Sequence, residues 1–180
     1  MKNATTSLRN FLSKKKTFVI PSYQRGYVWG KSRGSEKNSV EYILDSIQNS
    51  LDNDTELFMQ GITVTEKENE IILIDGQQRI TFFYLLLTCF GYKDDFNLDY
   101  PIRTESDKFL KSLKGKTELE LKGICDENST EEFQDIYYFK KTIRLVLGKA
   151  RKWDIDKILD NVKFLYITIP EDKAALVFSM

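Results

Sequence analysis

Residues 70–81 read Glu70-Ile71-Ile72-Leu73-Ile74-Asp75-Gly76-Gln77-Gln78-Arg79-Ile80-Thr81. Ile71 to Ile74, with Glu70 before them, form the short apolar run expected of a strand buried on both faces. Gln77 to about Phe90 follows with apolar residues at Ile80, Phe83, Tyr84, Leu86 and Leu87, the spacing of a helix. The polar residues Asp75 to Arg79 are therefore pressed into one sharp strand-to-helix turn. Such a turn presents backbone N–H groups and the positive end of a helix dipole at the edge of a sheet, which favours anions. Gly76 lets backbone approach a ligand closely, and the Arg79 fork suits phosphate or carboxylate. Gln77 and Gln78 add amide donors and acceptors able to read a base or a sugar. The same turn has a plainer reading, in which Asp75 caps the helix and Arg79 pairs with a nearby carboxylate.

Working toward the N-terminus, Lys67-Glu68-Asn69 is a turn, and Leu57 to Thr65 is a second strand that makes a hairpin with the first. Gly61 within it marks a bulge or a close backbone approach. Val40 to Leu51 is a helix, apolar at Val40, Ile43, Leu44, Ile47 and Leu51 and ended by Asp52-Asn53-Asp54. Before it lies Ile20-Pro21-Ser22-Tyr23-Gln24-Arg25-Gly26-Tyr27-Val28-Trp29. Pro21 keeps Ile20 extended and Gly26 permits a turn. The aromatics Tyr23, Tyr27 and Trp29 bracket Gln24 and Arg25. They read either as anchors tying an irregular loop to the core or as stacking faces for a planar base, with Arg25 on phosphate. Thr17 to Ile20 is a short strand, and Ser7 to Phe11 a short helix capped by Thr6 or Ser7.

Toward the C-terminus, Gly91 to Pro101 reads as a loop. From Thr104 to about Lys152 the pattern is helical, strongest over Glu131 to Leu147, where Phe133, Ile136, Tyr137, Phe139, Lys140, Ile143 and Leu147 leave a mixed apolar face that reads as core. Lys140, Lys141, Arg144, Lys149, Arg151 and Lys152 make this the most basic segment, either a solvated face or a nucleic-acid contact carried by Lys140, Arg144, Lys149 and Arg151. A short helix spans Asp154 to Asp160. Val162 to Ile169 is a strand that rejoins the sheet, closed by Pro170, and Glu171 to Met180 opens a further helix. That helix has no cap or polar tail, so the chain reads as a fragment of something longer.

Composition narrows the chemistry. The 180 residues are 41% hydrophobic and 13% aromatic, enough for a real core. Lys+Arg and Asp+Glu both total 27, so bulk electrostatics do not drive nucleic-acid binding. Histidine is absent, which removes Ser-His-Asp and Cys-His catalysis and histidine zinc sites. The two cysteines, Cys89 and Cys125, form no CxxC, and a reducing cytoplasmic compartment fits them. The apolar run over Ile80 to Phe90 is too short to span a bilayer, and Met1 to Thr6 carry no apolar signal segment.

Taken in order, Ile20-Pro21-x-Tyr23-Gln24-Arg25-x-Tyr27-x-Trp29, then Phe58-Met59-x-Gly61, then Ile74-Asp75-Gly76-Gln77-Gln78-Arg79-Ile80-Thr81 resemble the signature of the DGQQR family. This is the ParB-like N-terminal domain of GmrSD-type, modification-dependent restriction proteins and other phage-defence proteins. The likeness covers residues 17–90 well and 104–180 weakly. It implies an α/β (α+β) fold: a ParB/sulfiredoxin-like core with a small mixed sheet, a hairpin and helices, plus a helical insertion. The corresponding divisions are a core over 1–92 holding both motif loops, an insertion over 93–161, and a returning strand and helix start over 162–180.

The resemblance further implies binding and hydrolysis of a nucleoside triphosphate with Mg²⁺ or another divalent cation. It places Asp75, Gly76, Gln77, Gln78 and Arg79 at the nucleotide, with Gln24 and Arg25 opposite. On the chemistry of the side chains, Arg79 and Arg25 take phosphates. Asp75 holds the metal or orients water, Gln77 or Gln78 positions that water, and Tyr23, Tyr27 or Trp29 stacks the base. Thr81 is followed by Phe82-Phe83, where the family usually has a second threonine and a leucine, a packing change. The HNH-type nuclease site of such proteins needs histidine, so cleavage is expected of a domain or subunit outside this chain. Three readings follow: a regulatory nucleotide hydrolase of a restriction or defence protein; a ParB-like DNA-binding module without turnover, served by the basic helix; and, last, a nuclease built on Asp75 and Glu70.

Overall fold

The computed structural model describes residues 2–32, 34–94, 96–127, 133–150 and 152–177. Their elements, in chain order, begin with β1 (Lys2–Ser7), α1 (Leu8–Leu12), β2 (Thr17–Val19) and α2 (Ser39–Asn53). The hairpin β3 (Leu57–Glu66) and β4 (Glu70–Asp75) comes next, then the helix α3 (Gln77–Cys89) and the short strand β5 (Asn97–Asp99). Three helices follow, α4 (Thr104–Ser112), α5 (Glu118–Asp126) and α6 (Gln134–Lys149), then α7 (Ile155–Asn161), β6 (Val162–Thr168) and α8 (Glu171–Val177). The result is an α+β fold with one mixed sheet in the order β1-β6-β3-β4-β2-β5.

Pairing alternates in sense. β1 is antiparallel to β6, β6 parallel to β3, and β3 antiparallel to β4 across the expected hairpin. β4, β2 and β5 then run parallel, with Val19 opposite both Ile72 and Asp99. The carboxyl ends of these three strands consequently open at one edge of the sheet. Gly61 sits where the β3–β6 register shifts, between Met59 and Ile62, the irregularity its sequence position predicts.

Helix α3 is enclosed on nearly every side: Gln77, Gln78 and Ile80 through Leu87 are all buried. An amphipathic helix was expected, but α3 lies between the sheet and α6, so both faces meet protein. Phe164 of β6 touches Phe11 of α1 at 5.9 Å and Phe83 of α3 at 5.6 Å between ring centroids, which places these helices on the same side of the sheet. Along β3 the buried residues Met59, Ile62 and Val64 contrast with the exposed Phe58 and Gln60. The helices thus cover one face of the sheet here.

Two strands differ from expectation. β1, of sequence KNATTS, lacks apolar alternation and forms as an edge because β6 offers its ladder. β5 lies inside the segment read as a loop; three residues are too few to show a period, and β2 supplies the pairing. The segment over 104–152 is three helices, not one continuous run. α5 starts at a capping box in which Thr117 and Glu120 bond reciprocally. The expected start at Glu131, and Phe178 and Met180 at the other end, lie outside the described residues. No helix among the described residues is long and apolar enough to cross a membrane.

Candidate functional site

The Asp75–Arg79 turn sits at the carboxyl end of β4, and the loop over 20–29 leaves the carboxyl end of the neighbouring β2. In open parallel sheets, ligands bind outside the carboxyl ends of the strands, where loops diverge, and β4, β2 and β5 form a parallel portion of this mixed sheet. The two motifs, about fifty residues apart in sequence, are joined by a set of amide bonds. Gln24 Nε2 donates to Ile74 O at 2.6 Å, and Gln77 Nε2 donates to Arg25 O. Gln78 Nε2 donates to Gly26 O at 3.0 Å while its Oε1 accepts from Val28 N–H at 2.9 Å. Sequence reasoning assigned both glutamines to a ligand. The structure uses them to hold the β2 loop onto the start of α3. Both Gln78 amide atoms are engaged, so this side chain does not position water in this arrangement, whereas the buried Oε1 of Gln77 has no partner.

Gly76, not Asp75, is the N-cap of α3, at φ +94° and with no side-chain cap. A Cβ there would meet Ile62 Cγ1 at 3.1 Å, so glycine is needed for both conformation and space. Asp75 is left 72% exposed and accepts from Arg79 Nη2 at 3.4 Å, so the plainer expectation that Arg79 pairs with a nearby carboxylate holds. Arg79 itself is only 11% exposed. Its Nη2 donates to Gly61 O at 2.6 Å and its Nη1 to Gln60 Oε1 at 2.8 Å, tying α3 to the bulge of β3. Burial lowers its pKa, partly offset by Asp75, and its Nε is buried without a partner. Arg79 therefore clasps the hairpin in this arrangement.

The three aromatics separate. Tyr27 is fully buried; its ring lies 5.3 Å from that of Phe139, and its hydroxyl pairs with Thr142 Oγ1 at 3.1 Å. It anchors the loop to α6 and is not available to stack a base. Trp29 is half-buried near Phe82, with ring centroids 6.1 Å apart. Tyr23 is 48% exposed at the edge, its hydroxyl pKa pushed up to about 12 by partial burial. Arg25, beside it, is exposed and makes no side-chain hydrogen bond among the described residues. Tyr23, Arg25 and Asp75 are thus the predicted residues that face solvent together at this edge.

The basic helix is largely consumed by the fold. Lys140 is buried and donates to Glu127 O at 2.9 Å, Arg144 donates to Cys125 O, and Lys149 pairs with Asp45. Arg151 lies outside the described residues. For a metal, no group of three or more His, Cys, Asp or Glu occurs among the described residues. Asp75 alone would contribute a carboxylate, and Mg²⁺ is commonly held by one or two carboxylates together with substrate phosphates and water. The donor set fits a cation that arrives with a triphosphate.

Sequence reasoning missed Asp135. It is 3% exposed, its Oδ2 accepts from Ser106 Oγ at 3.0 Å and from Arg103 Nη1 at 3.3 Å, and its Oδ1 lies against Gly26. A signal was present. Asp135 precedes Phe139 by one helical turn and Thr142 by two, so it shares the buried stripe of α6. An acid in that phase calls for a buried partner. The roomiest cavities described, of about 520 and 590 Å³, lie elsewhere: one beyond the C-terminal end of α3 around Tyr92, the other around Glu66 and Tyr166. Between the β2 and β5 loops is a cleft of only about 10 Å³, lined in part by Pro21, Ser22 and Arg103.

The sequence model of the family described as "GmrSD restriction endonuclease, N-terminal domain" matches residues 8–179. No curated protein matches the chain.

Proposed function

The chain belongs to the GmrSD restriction endonuclease N-terminal domain family, and from that premise we propose that it binds and hydrolyses a nucleoside triphosphate at the β4–β2 edge. In doing so it regulates DNA binding or cleavage by a separate nuclease domain or subunit. The observation that carries the reading is the convergence of two polar motifs, distant in sequence, at the carboxyl ends of adjacent parallel strands. There Arg25, Tyr23 and Asp75 stay exposed while the glutamines lock the loops together. The remaining detail of the DGQQR and ParB-like assignment, and action in the cytoplasm, belong to the same proposal.

Each role follows from position. Arg25 carries a full charge with open donors and takes the phosphate chain. Tyr23 offers an exposed ring for the base, which any nucleobase can stack on. Asp75 faces the phosphates, where it would hold a divalent cation or orient a water for in-line attack on the terminal phosphorus. When bound, the cation supplies neutralisation of phosphate charge. Gln77 Oε1, a buried acceptor without a partner among the described residues, lies next in the turn and, unlike the amide of Gln78, is left to bond that water. Displacement between the turn and the β2 loop on nucleotide exchange would carry the signal onward, provided the nucleotide prefers one arrangement.

The alternative, a DNA-binding module without turnover, draws less support because Lys140, Arg144 and Lys149 are each engaged within the chain. The deciding assay is phosphate release by the chain with Mg²⁺ and each common triphosphate. Asp75 is exposed, so Asp75→Ala should retain the fold by circular dichroism. It is expected to lower turnover by about 100-fold or more, as for other lost catalytic groups. Wild-type turnover in the folded variant would remove Asp75 from the chemistry.

A further inference from the structure

The third parallel strand of this edge, β5, ends in a loop that the motif readings did not include. Tyr100 to Arg103 leave its carboxyl end just as Asp75–Arg79 leave β4 and residues 20–29 leave β2. Each of the three loops carries an arginine: Arg79, Arg25 and Arg103. Arg103 lies beside the loop over 20–29. Its Nη1 comes within 3.2 Å of where a side chain on Gly26 would begin, so the guanidinium lies beside Gly26.

The fork is also held. The Asp135 carboxylate, buried behind Gly26, accepts from Arg103 Nη1 and from Ser106 Oγ, and its Oδ1 has no hydrogen-bond partner among the described residues. A carboxylate so enclosed requires a cation nearby, and the pairing fixes the guanidinium in return. Yet Arg103 remains 41% exposed, and its other donors bond nothing among the described residues. Arg79, by contrast, is 11% exposed and has both terminal nitrogens engaged. Oriented, open donors therefore belong to Arg103, and an unpaired charge to Arg25.

We propose that Arg103 is a phosphate-binding residue of this edge, with Asp135 as the positioning residue that aims its fork. The ligand class is the polyphosphate chain of a nucleotide, and the proposal rests on the nucleotide reading above. Arg103 would discriminate by the number of phosphates, since a bidentate fork adds a pair of charge-assisted hydrogen bonds that a monophosphate bound near the base does not reach.

The test is titration calorimetry of the chain with the tri-, di- and monophosphate of one nucleoside, in wild type, Arg103→Ala, Arg103→Lys and Asp135→Asn. Arg103→Ala is expected to weaken triphosphate binding about tenfold or more and to shrink the triphosphate-to-monophosphate ratio of affinities. Arg103→Lys, which keeps the charge and the pairing with Asp135, should recover part of the affinity but not the ratio. Asp135→Asn should weaken triphosphate binding without changing the monophosphate. An unchanged ratio in Arg103→Ala, or in Arg103→Lys should the alanine variant not fold, overturns the role of Arg103 and leaves the nucleotide reading standing. No binding of any nucleotide by wild type overturns both.

Discussion

Gln78 illustrates how a residue's chemistry can be legible while its employment is not. The Asp75-Gly76-Gln77-Gln78-Arg79 run announced amide donors and acceptors at a turn. Only the fold shows that Gln78 spends both on Gly26 O and Val28 N–H. Its removal strips hydrogen bonds from a buried seam, so Gln78→Ala is expected to destabilise the chain by about 2 kcal/mol. By the usual scaling that lowers the melting temperature by about 4–8 °C. Denaturant and thermal unfolding of wild type and variant measure it, and equal stability would show that the loops hold together by other means. Arg79 carries a related lesson. Because it bonds Gly61 O and Gln60, an alanine there mixes lost stability with lost binding, so the exposed Arg25 and Asp75 are the cleaner probes. Tyr27 and Trp29 could not be sorted from Tyr23 by sequence. All three are aromatic and polar-tipped or bulky, and only the position of α6 decides which ring is buried.

At the scale of elements, the strong periods were readable: the hairpin, the helices α2, α3 and α7, and the returning strand β6 all occupy the expected segments. What escaped was held by partners distant in the chain. β1 and β5 are short polar strands, and the enclosure of α3 depends on α6, which follows some fifty residues later. Loss of β5 from the sequence reading also concealed Arg103, since a loop residue gains meaning only from the strand end that positions it. The end of β3 shows a charged version of the same dependence. Glu66 accepts from Lys14 at 2.7 Å, Lys16 at 3.4 Å and Tyr166 Oη at 2.5 Å, joining the α1–β2 turn, β3 and β6. Burial alone would raise its pKa, but these hydrogen bonds outweigh burial and hold the carboxyl at about 2, below its ordinary 4.5. A group depressed in the folded state stabilises above its unfolded pKa and loses that contribution as pH falls through the folded one. Glu66→Gln should therefore cost roughly 1–2 kcal/mol at neutral pH, after allowance for solvent screening. The difference from wild type should fade between about pH 4.5 and pH 2. Unfolding measured across that range checks the sign, and a gap that widened on acidification would contradict it.

For the whole molecule, the sheet order places three parallel carboxyl ends side by side and gathers the motif loops there, with the helices stacked over the covered face behind them. The fold class was legible in the sequence pattern, whereas the edge itself follows from the sheet order. The division of labour along the edge follows from burial: glutamines as clasps, Arg79 as brace, Tyr23, Arg25 and Asp75 as the open surface. The central claim is that this surface receives a nucleoside triphosphate. The most direct measurement is a thermal-shift series with ATP, GTP, CTP and UTP, each with and without Mg²⁺, on wild type and Arg25→Ala. A ligand at a hundredfold its Kd adds about 2.7 kcal/mol, or about 5–10 °C in a chain of this size. Such a rise is expected with at least one triphosphate, and it is expected to be lost in Arg25→Ala. No rise with any of the four, or a rise that Arg25→Ala leaves intact, would contradict the claim.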